Sequence, residues 1–191
     1  MSSTLYPVFL KLVGLPVVVV GGGKVAASKV DGLIDAGARV TVVAPKICAA
    51  IRARPSVILI EREFVASDLD AAHWVVAAAT AAVNRAVAAA AAARLLFVNA
   101  VDDPESASAY LGGVVRRGGV TIAISTTGHA PALAGLLREA LEAVLPDDLD
   151  RWTEVARRAR DAWRAKAIPI AERRPLLFRA LAEIYTSRGA T

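Results

Sequence analysis

Three short stretches hold the residue types from which chemistry could be built. The first, Gly21-Gly22-Gly23-Lys24-Val25-Ala26, follows four consecutive valines and precedes a helix-forming segment. Read as G-x-G-x-x-A on Gly21, Gly23 and Ala26, it provides a tight turn, a point where backbone can approach a pyrophosphate, and a small residue that lets helix pack closely on strand. The N–H groups at the helix start, near Lys24 and Val25, would then face the phosphates, which favours a dinucleotide site over a merely structural turn. The second stretch, Asn99-Ala100-Val101-Asp102-Asp103-Pro104, leaves an apolar strand on the sheet edge that carries the glycine turn. One of its carboxylates could act as a general base; the competing reading is an Asp-Asp-Pro turn whose side chains bond local backbone. The third, Ser125-Thr126-Thr127-Gly128-His129-Ala130-Pro131, offers hydroxyls and one imidazole ahead of a helix that opens at Pro131. His129 reads either as a loop hydrogen-bonder or as a ligand group, and His73 as structural.

These stretches need a scaffold that brings strand ends to one edge. Val17 to Val20 reads as a buried strand, the segment from Lys24 as a helix capped at Gly37, and Arg39 to Val43 as the strand that completes a βαβ unit. A loosely alternating run, Leu5 to Leu12, reads as a short additional strand ahead of Gly14 and Pro16. Further on, the pattern predicts a short helix over 46–54, strands over 57–60 and 74–79, a helix over 83–94 and a strand over 95–99. Thr80, at the end of the fourth strand, reads as a helix N-cap, a cofactor contact, or both. The stretches 110–115 and 120–125 form a hairpin around Arg116-Arg117-Gly118-Gly119. A helix with the apolar stripe Leu133, Leu136, Leu137, Ala140, Leu141 and Val144 follows, and its stripe should be buried, with a second subunit as one partner. A helix from Asp150 is broken at Pro169, and a last one covers 176–185. The fold class is therefore α/β: a Rossmann-type doubly wound parallel sheet (1–104), a small α+β region of hairpin plus helix (105–146) and a basic helical C-terminal region (147–191).

Cofactor choice would rest on the end of the second strand. Thr41 to Lys46 offers no acidic residue for the ribose hydroxyls of NAD. Lys46 and Arg52 point instead to the 2′-phosphate of NADP, while backbone groups of Ala44, Pro45 and Lys46 can bind a ribose as well.

Composition narrows the class. At 191 residues and 55% apolar, the chain can bury a core without staples. Cys48 stands alone, with no disulfide partner and no metal-ligand spacing around it, which fits a reducing, cytoplasmic setting. The first residues show no secretion signal, and the alanine-rich run 71–93 reads as strand, loop and helix rather than a membrane span. Residues 1–150 hold 13 Lys+Arg against 14 Asp+Glu, whereas residues 151–191 hold 10 against 4. The resulting +6 tail suits an anionic ligand, although a solvated helical face would look the same.

The order and spacing of Val-Val-Val-Gly-Gly-Gly-Lys-Val-Ala-Ala-Ser-Lys-Val, Gly-Ala-Arg-Val-Thr-Val-Val-Ala-Pro, Asn-Ala-Val-Asp-Asp-Pro and Ile-Ser-Thr-Thr-Gly-His-Ala-Pro resemble the siroheme synthase N-terminal family over about residues 5 to 180. That resemblance implies precorrin-2 dehydrogenase activity with NAD as hydride acceptor, and in some members sirohydrochlorin ferrochelatase activity with Fe²⁺ or Co²⁺ as co-substrate. It implies a homodimer built on the hairpin region, and no nucleic-acid or membrane partner. It implies Asp102 as the catalytic carboxylate. Candidates for the substrate side are Asn99, Ser125, Thr126, Thr127, Gly128 and His129, with Arg116 and Arg117 as cations suited to an anionic ligand. Cofactor contacts would come from Gly21 to Ala26, Ala44 to Lys46 and Thr80. The chain departs from the family pattern at Ala81-Ala82, Ala109, Gly112, Thr126, His129 and Ala130. These departures leave a competing class open, a dinucleotide- or tetrapyrrole-binding regulatory protein without turnover.

Overall fold

Four valines in succession cannot settle on a half-wet surface, because a strand points alternate side chains to opposite faces. In the computed structural model, which describes residues 5–128 and 130–186, they form the centre of a parallel sheet covered on both sides. β1 (Pro16–Val20) lies between β2 (Arg39–Val43) and β4 (Trp74–Ala77), with β3 (Ile58–Ile60) outside β2 and β5 (Val98–Ala100) outside β4. Val17 and Val19 pack with Val40, Val42 and Val76 beneath Ala26, Val30 and Leu33 of α1 (Lys24–Asp35). Val18 and Val20 pack on the other face with Val43, Val75 and Ala77 against Val87 and Ala91 of α3 (Ala81–Ala92). The order β3-β2-β1-β4-β5 places the topological switch point between β1 and β4, at their carboxyl ends.

Local sequence explains where the elements stop. α1 ends because Gly37, at φ 77°, sends its N–H to Ile34 O while Ala38 bonds Leu33 O, the paired closure of a helix that turns back into a strand. The short α2 (Ala49–Arg52) leads to β3. A 3-10 turn over Ala66–Leu69 then bridges to β4.

Several boundaries differ from the sequence expectation. Residues 5–12 form no strand: both flanks of β1 are taken by β2 and β4, and Tyr6, Val8, Phe9 and Leu10 stay exposed. α3 begins two residues early, with Thr80 as its N-cap residue, so Ala81-Ala82 is helix rather than loop. β5 starts late because Leu95 turns the chain in a left-handed conformation, φ 57°, almost fully in solvent.

The chain divides into two compact units, Met1–Leu111 and Gly112–Thr191. In the second, β6 (Gly113–Arg117) and β7 (Val120–Ile124) pair antiparallel around Gly118 and Gly119, both at positive φ as a two-residue hairpin requires. α4 (Pro131–Val144) packs closely on β6, with Ala134 O only 2.9 Å from where a Cβ on Gly113 would stand. Its leucine stripe is not buried within the chain: Leu133, Leu136, Leu137 and Val144 are all exposed. α5 (Leu149–Ala165) is joined to the hairpin by the Thr153 hydroxyl, which donates to Gly118 O. α6 (Ile170–Thr186) starts six residues before the expected 176. Arg173 closes its first turn by donating Nε and Nη2 to Ile168 O, and Pro175 then deletes one helical bond without ending the helix.

Candidate functional site

The glycine turn divides its labour in a way that spacing alone does not reveal. Gly21 sits at φ 129°, and a Cβ there would overlap the Ala78 carbonyl. Gly22 is pressed against Lys46 O and Ile47 Cα, and its own carbonyl accepts the Cys48 N–H at 2.8 Å. Gly23 alone opens to empty space, as the N-cap of α1 with no side-chain capping bond. The first N–H groups of α1, from Lys24 to Ala26, precede the first intrahelical bond, Ala27 N–H to Gly23 O. No acidic side chain occupies that first turn. Open backbone, uncompensated N–H groups and the positive end of a twelve-residue helix coincide at Gly23, and this fits a pyrophosphate. Ala26 is fully buried on the strand, as helix-to-sheet contact requires.

Beside this turn lies a cleft of about 280 Å³ lined by Val25, Ala78, Ala79, Ala81, Asn84, Val101, Asp102 and Asp103. It lies at the carboxyl ends of β4 and β5 and reaches Val25 at the start of α1. The last ladder bond, Val101 N–H to Ala77 O at 2.8 Å, anchors the segment that carries the carboxylates. Asp102 then adopts φ 55°, a left-handed conformation that costs a non-glycine residue free energy, and its side chain is exposed. Asp103 behaves differently: Oδ1 accepts the Ser106 N–H at 3.3 Å, as an Asp-Pro turn would have it, and Oδ2 is buried without a partner. The turn contact is thus made by Asp103, while the Asp102 carboxylate is left exposed at the cleft.

Asn84 went unrecognised in the sequence. It is 1% exposed, and its Oδ1 accepts the Ala79 N–H at 3.1 Å while Nδ2 reaches Val101 O at 3.5 Å. One side chain thus ties together the two segments that wall the cleft. The available signal was a lone amide in the first turn of an otherwise alanine-rich helix. Asn99, a candidate for the substrate side, is buried; Nδ2 donates to Ala109 O at 3.0 Å and Oδ1 has no partner. Thr80 caps α3 without a side-chain bond, so its exposed hydroxyl is unspent.

At the rim of β2, the Ala44 N–H is consumed by Ile60 O, Pro45 has no N–H to offer, and Lys46 is exposed. Arg52 is already engaged: Nη1 and Nη2 hold both Glu61 carboxylate oxygens at 2.7 and 2.5 Å, and Nε donates to Ile47 O. Its guanidinium thus already has a carboxylate partner at this rim. In the second unit, Arg116 is exposed, whereas Arg117 donates to Leu145 O at 2.6 Å and pairs with Asp147. The loop 125–128 turns back at Thr127 and Gly128, both at positive φ, with the Thr127 N–H donating to Ser125 Oγ and the Thr127 hydroxyl to Thr126 O. His129 lies outside the described residues.

Sheet order, glycine turn and cleft define a Rossmann-type dinucleotide-binding protein. The family model for NAD(P)-binding matches residues 8–113, and the model described as sirohaem biosynthesis protein central matches residues 117–143. Over 173 residues the chain is 42% identical to a siroheme synthase of Neisseria meningitidis serogroup C, covering 88% of this chain and 36% of that protein. It is 39% identical to siroheme synthase 3 of Aeromonas hydrophila, again covering 88% of this chain and 37% of that protein. The chain thus spans little more than a third of the length of these relatives. The solved structure of SirC, precorrin-2 dehydrogenase, superposes with a TM-score of 0.72 at 26% identity, covering 92% of this chain and 88% of that one. The chain belongs to the NAD(P)-binding family, and its motifs resemble the siroheme synthase N-terminal family.

Proposed function

We propose that the chain is an NAD-dependent precorrin-2 dehydrogenase, oxidising the macrocycle to sirohydrochlorin. The observation that carries this is the placement of Asp102, held in a left-handed conformation on the cleft that Val25, in the first turn of α1, also lines. Similarity to a protein named precorrin-2 dehydrogenase and to siroheme synthases supplies the substrate class.

NAD, when bound, supplies the two-electron hydride acceptor. Gly21 to Ala26 hold its pyrophosphate through the N–H groups of α1, and the cleft walled by Val25, Ala78, Ala79 and Val101 excludes water around one aromatic ring. Its volume suits a ring and not a tetrapyrrole, so the macrocycle lies outside it. Asp102 removes the ring proton that departs together with the hydride, and Asn84 keeps the two cleft walls in register. Arg116 and the hydroxyl loop 125–128 are the chain's candidates for the substrate's carboxylates, alongside the basic face of the C-terminal helices.

The working unit is a homodimer formed through α4, whose leucines find no cover within the chain. The setting is cytoplasmic and needs no nucleic-acid partner. Among the described residues no helix is long and apolar enough to cross a membrane, and no group of three His, Cys, Asp or Glu residues is placed to hold a metal ion. Insertion of Fe²⁺ or Co²⁺ is a separate step, read by adding either ion to the protein with sirohydrochlorin.

The test is spectrophotometric. Purified protein with precorrin-2 and NAD⁺ should generate the sirohydrochlorin spectrum, and Asp102→Ala should lower kcat by about two orders of magnitude or more, as loss of a general base does. An Asp102→Ala protein with wild-type turnover would remove the assigned role. Tetrapyrrole binding without turnover by the wild type would favour the regulatory reading.

A further inference from the structure

A generic dinucleotide fold places its ribose-binding acid at the end of β2, and here β2 ends in Val43-Ala44-Pro45-Lys46 without one. The neighbouring strand supplies a carboxylate at the same level. Val43 pairs with Ile60 in the parallel register, and the Ala44 N–H bonds Ile60 O, so Glu61 leaves β3 alongside Ala44 on the edge that carries the glycine turn. The segment between is fixed to that turn: Lys46 O and Ile47 Cα lie against Gly22, and the Cys48 N–H bonds Gly22 O. Arg52 approaches from α2, fastened to Ile47 O by Nε and to both oxygens of Glu61 by its two Nη groups. The pair is half-exposed and so reachable by a ligand.

We infer that the Arg52–Glu61 pair selects NAD over NADP, with Glu61 of β3 standing in for the acid that β2 lacks and holding Arg52 away from a 2′-phosphate. This deepens the dinucleotide reading and rests on it. An NADP 2′-phosphate arriving at this rim meets a carboxylate, and it gains Arg52 only by taking it from a two-bond partner. A plain ribose carries no such charge and can offer its hydroxyls to Glu61. Arg52 keeps the Glu61 carboxyl below the usual carboxylate range through those hydrogen bonds, so the acid remains ionised throughout the neutral and mildly acidic range. Lys46 is exposed on the same rim.

Equilibrium titration of NAD⁺ and NADP⁺ into the full chain, followed by calorimetry, tests this without any tetrapyrrole. The wild type should bind NAD⁺ more tightly. Glu61→Gln should release Arg52 and shift the NADP⁺ to NAD⁺ affinity ratio by about tenfold or more toward NADP⁺. The double variant Arg52→Ala/Glu61→Gln should lose that gain, which assigns it to the freed guanidinium. An unchanged ratio in Glu61→Gln while NAD⁺ still binds overturns the inference alone, as does a gain that survives loss of Arg52. A wild type that binds neither nucleotide overturns the dinucleotide reading, and the inference with it.

Discussion

A methyl group on Gly22 would overlap the Lys46 carbonyl oxygen, whereas one on Gly23 would meet nothing within 4 Å. Adjacent residues of the same type are therefore glycines for different reasons, one to let two chain segments touch and the other to leave room for a ligand. Gly22→Ala must push the 46–48 segment off the turn, at a cost of about 1–3 kcal/mol from overpacking, and should lower both thermal stability and NAD⁺ affinity. Gly23→Ala should leave the melting temperature nearly unchanged and weaken NAD⁺ by about tenfold, since only the bound pyrophosphate would meet the new methyl. Paired thermal melts and NAD⁺ titrations of the two variants separate these effects; normal NAD⁺ binding by Gly23→Ala would move the phosphates elsewhere. The G-x-G-x-x-A spacing announced the turn but not this division, because the contact that makes Gly22 obligatory comes from Lys46 and Ile47, some two dozen residues away. Asn84 was illegible for the same reason: its partners, Ala79 N–H and Val101 O, belong to two different strand ends.

Among the elements, the strap between β3 and β4 shows how a short turn is stabilised by charge. Asp68 accepts the Val65 N–H at 2.9 Å and pairs with Arg62 through both oxygens, its own side chain only 6% exposed. Arg62 holds the Asp68 carboxyl below the usual carboxylate range, with the Val65 N–H adding to the effect and burial opposing it. A folded-state value below the unfolded one of about 4 stabilises the protein above that pH, and the contribution drains away as pH falls through the folded value. Asp68→Asn should therefore cost about 1–2 kcal/mol at neutral pH, and the gap to wild type should narrow as the pH is lowered below about 4. Urea denaturation at both pH values measures it, and an equal gap at both would assign the loss to packing instead of charge. Most elements were readable because their signals are local: valine runs for β1 and β2, Gly37 for the end of α1, Gly118-Gly119 for the hairpin. Those misread depended on distant partners. Residues 5–12 alternate like a strand, but no sheet edge was left for them beside β1, and Pro175 hid the first turn of α6 because Arg173 closes that turn with a side chain.

For the whole molecule, the net positive charge is concentrated in residues 151–191, and the second unit also carries an exposed apolar stripe on α4. Arg157 and Arg158 share Glu154, while Arg160, Arg164, Arg174 and Arg179 form no ion pair among the described residues, leaving a basic surface suited to a polycarboxylate. α4 poses the complementary problem. Only Ala134 of this helix is buried, where it meets β6, and Leu136 and Val144 are 65% and 80% exposed. A contiguous apolar stripe of this kind on one helix marks an association surface, and self-complementary pairing about a two-fold axis places each leucine in the interface twice. Burying one leucine is worth about 1.5–3 kcal/mol, so Leu136→Glu should remove roughly twice that from dimer stability and raise the dissociation constant by about a hundredfold or more. Because Leu136 is exposed within the chain, the monomer fold should persist with unchanged NAD⁺ binding by the first unit. Sedimentation velocity at micromolar protein reads the outcome: a wild-type dimer and a monomeric Leu136→Glu variant are expected, and a wild-type monomer, or a variant that still dimerises fully, would release α4 from that role.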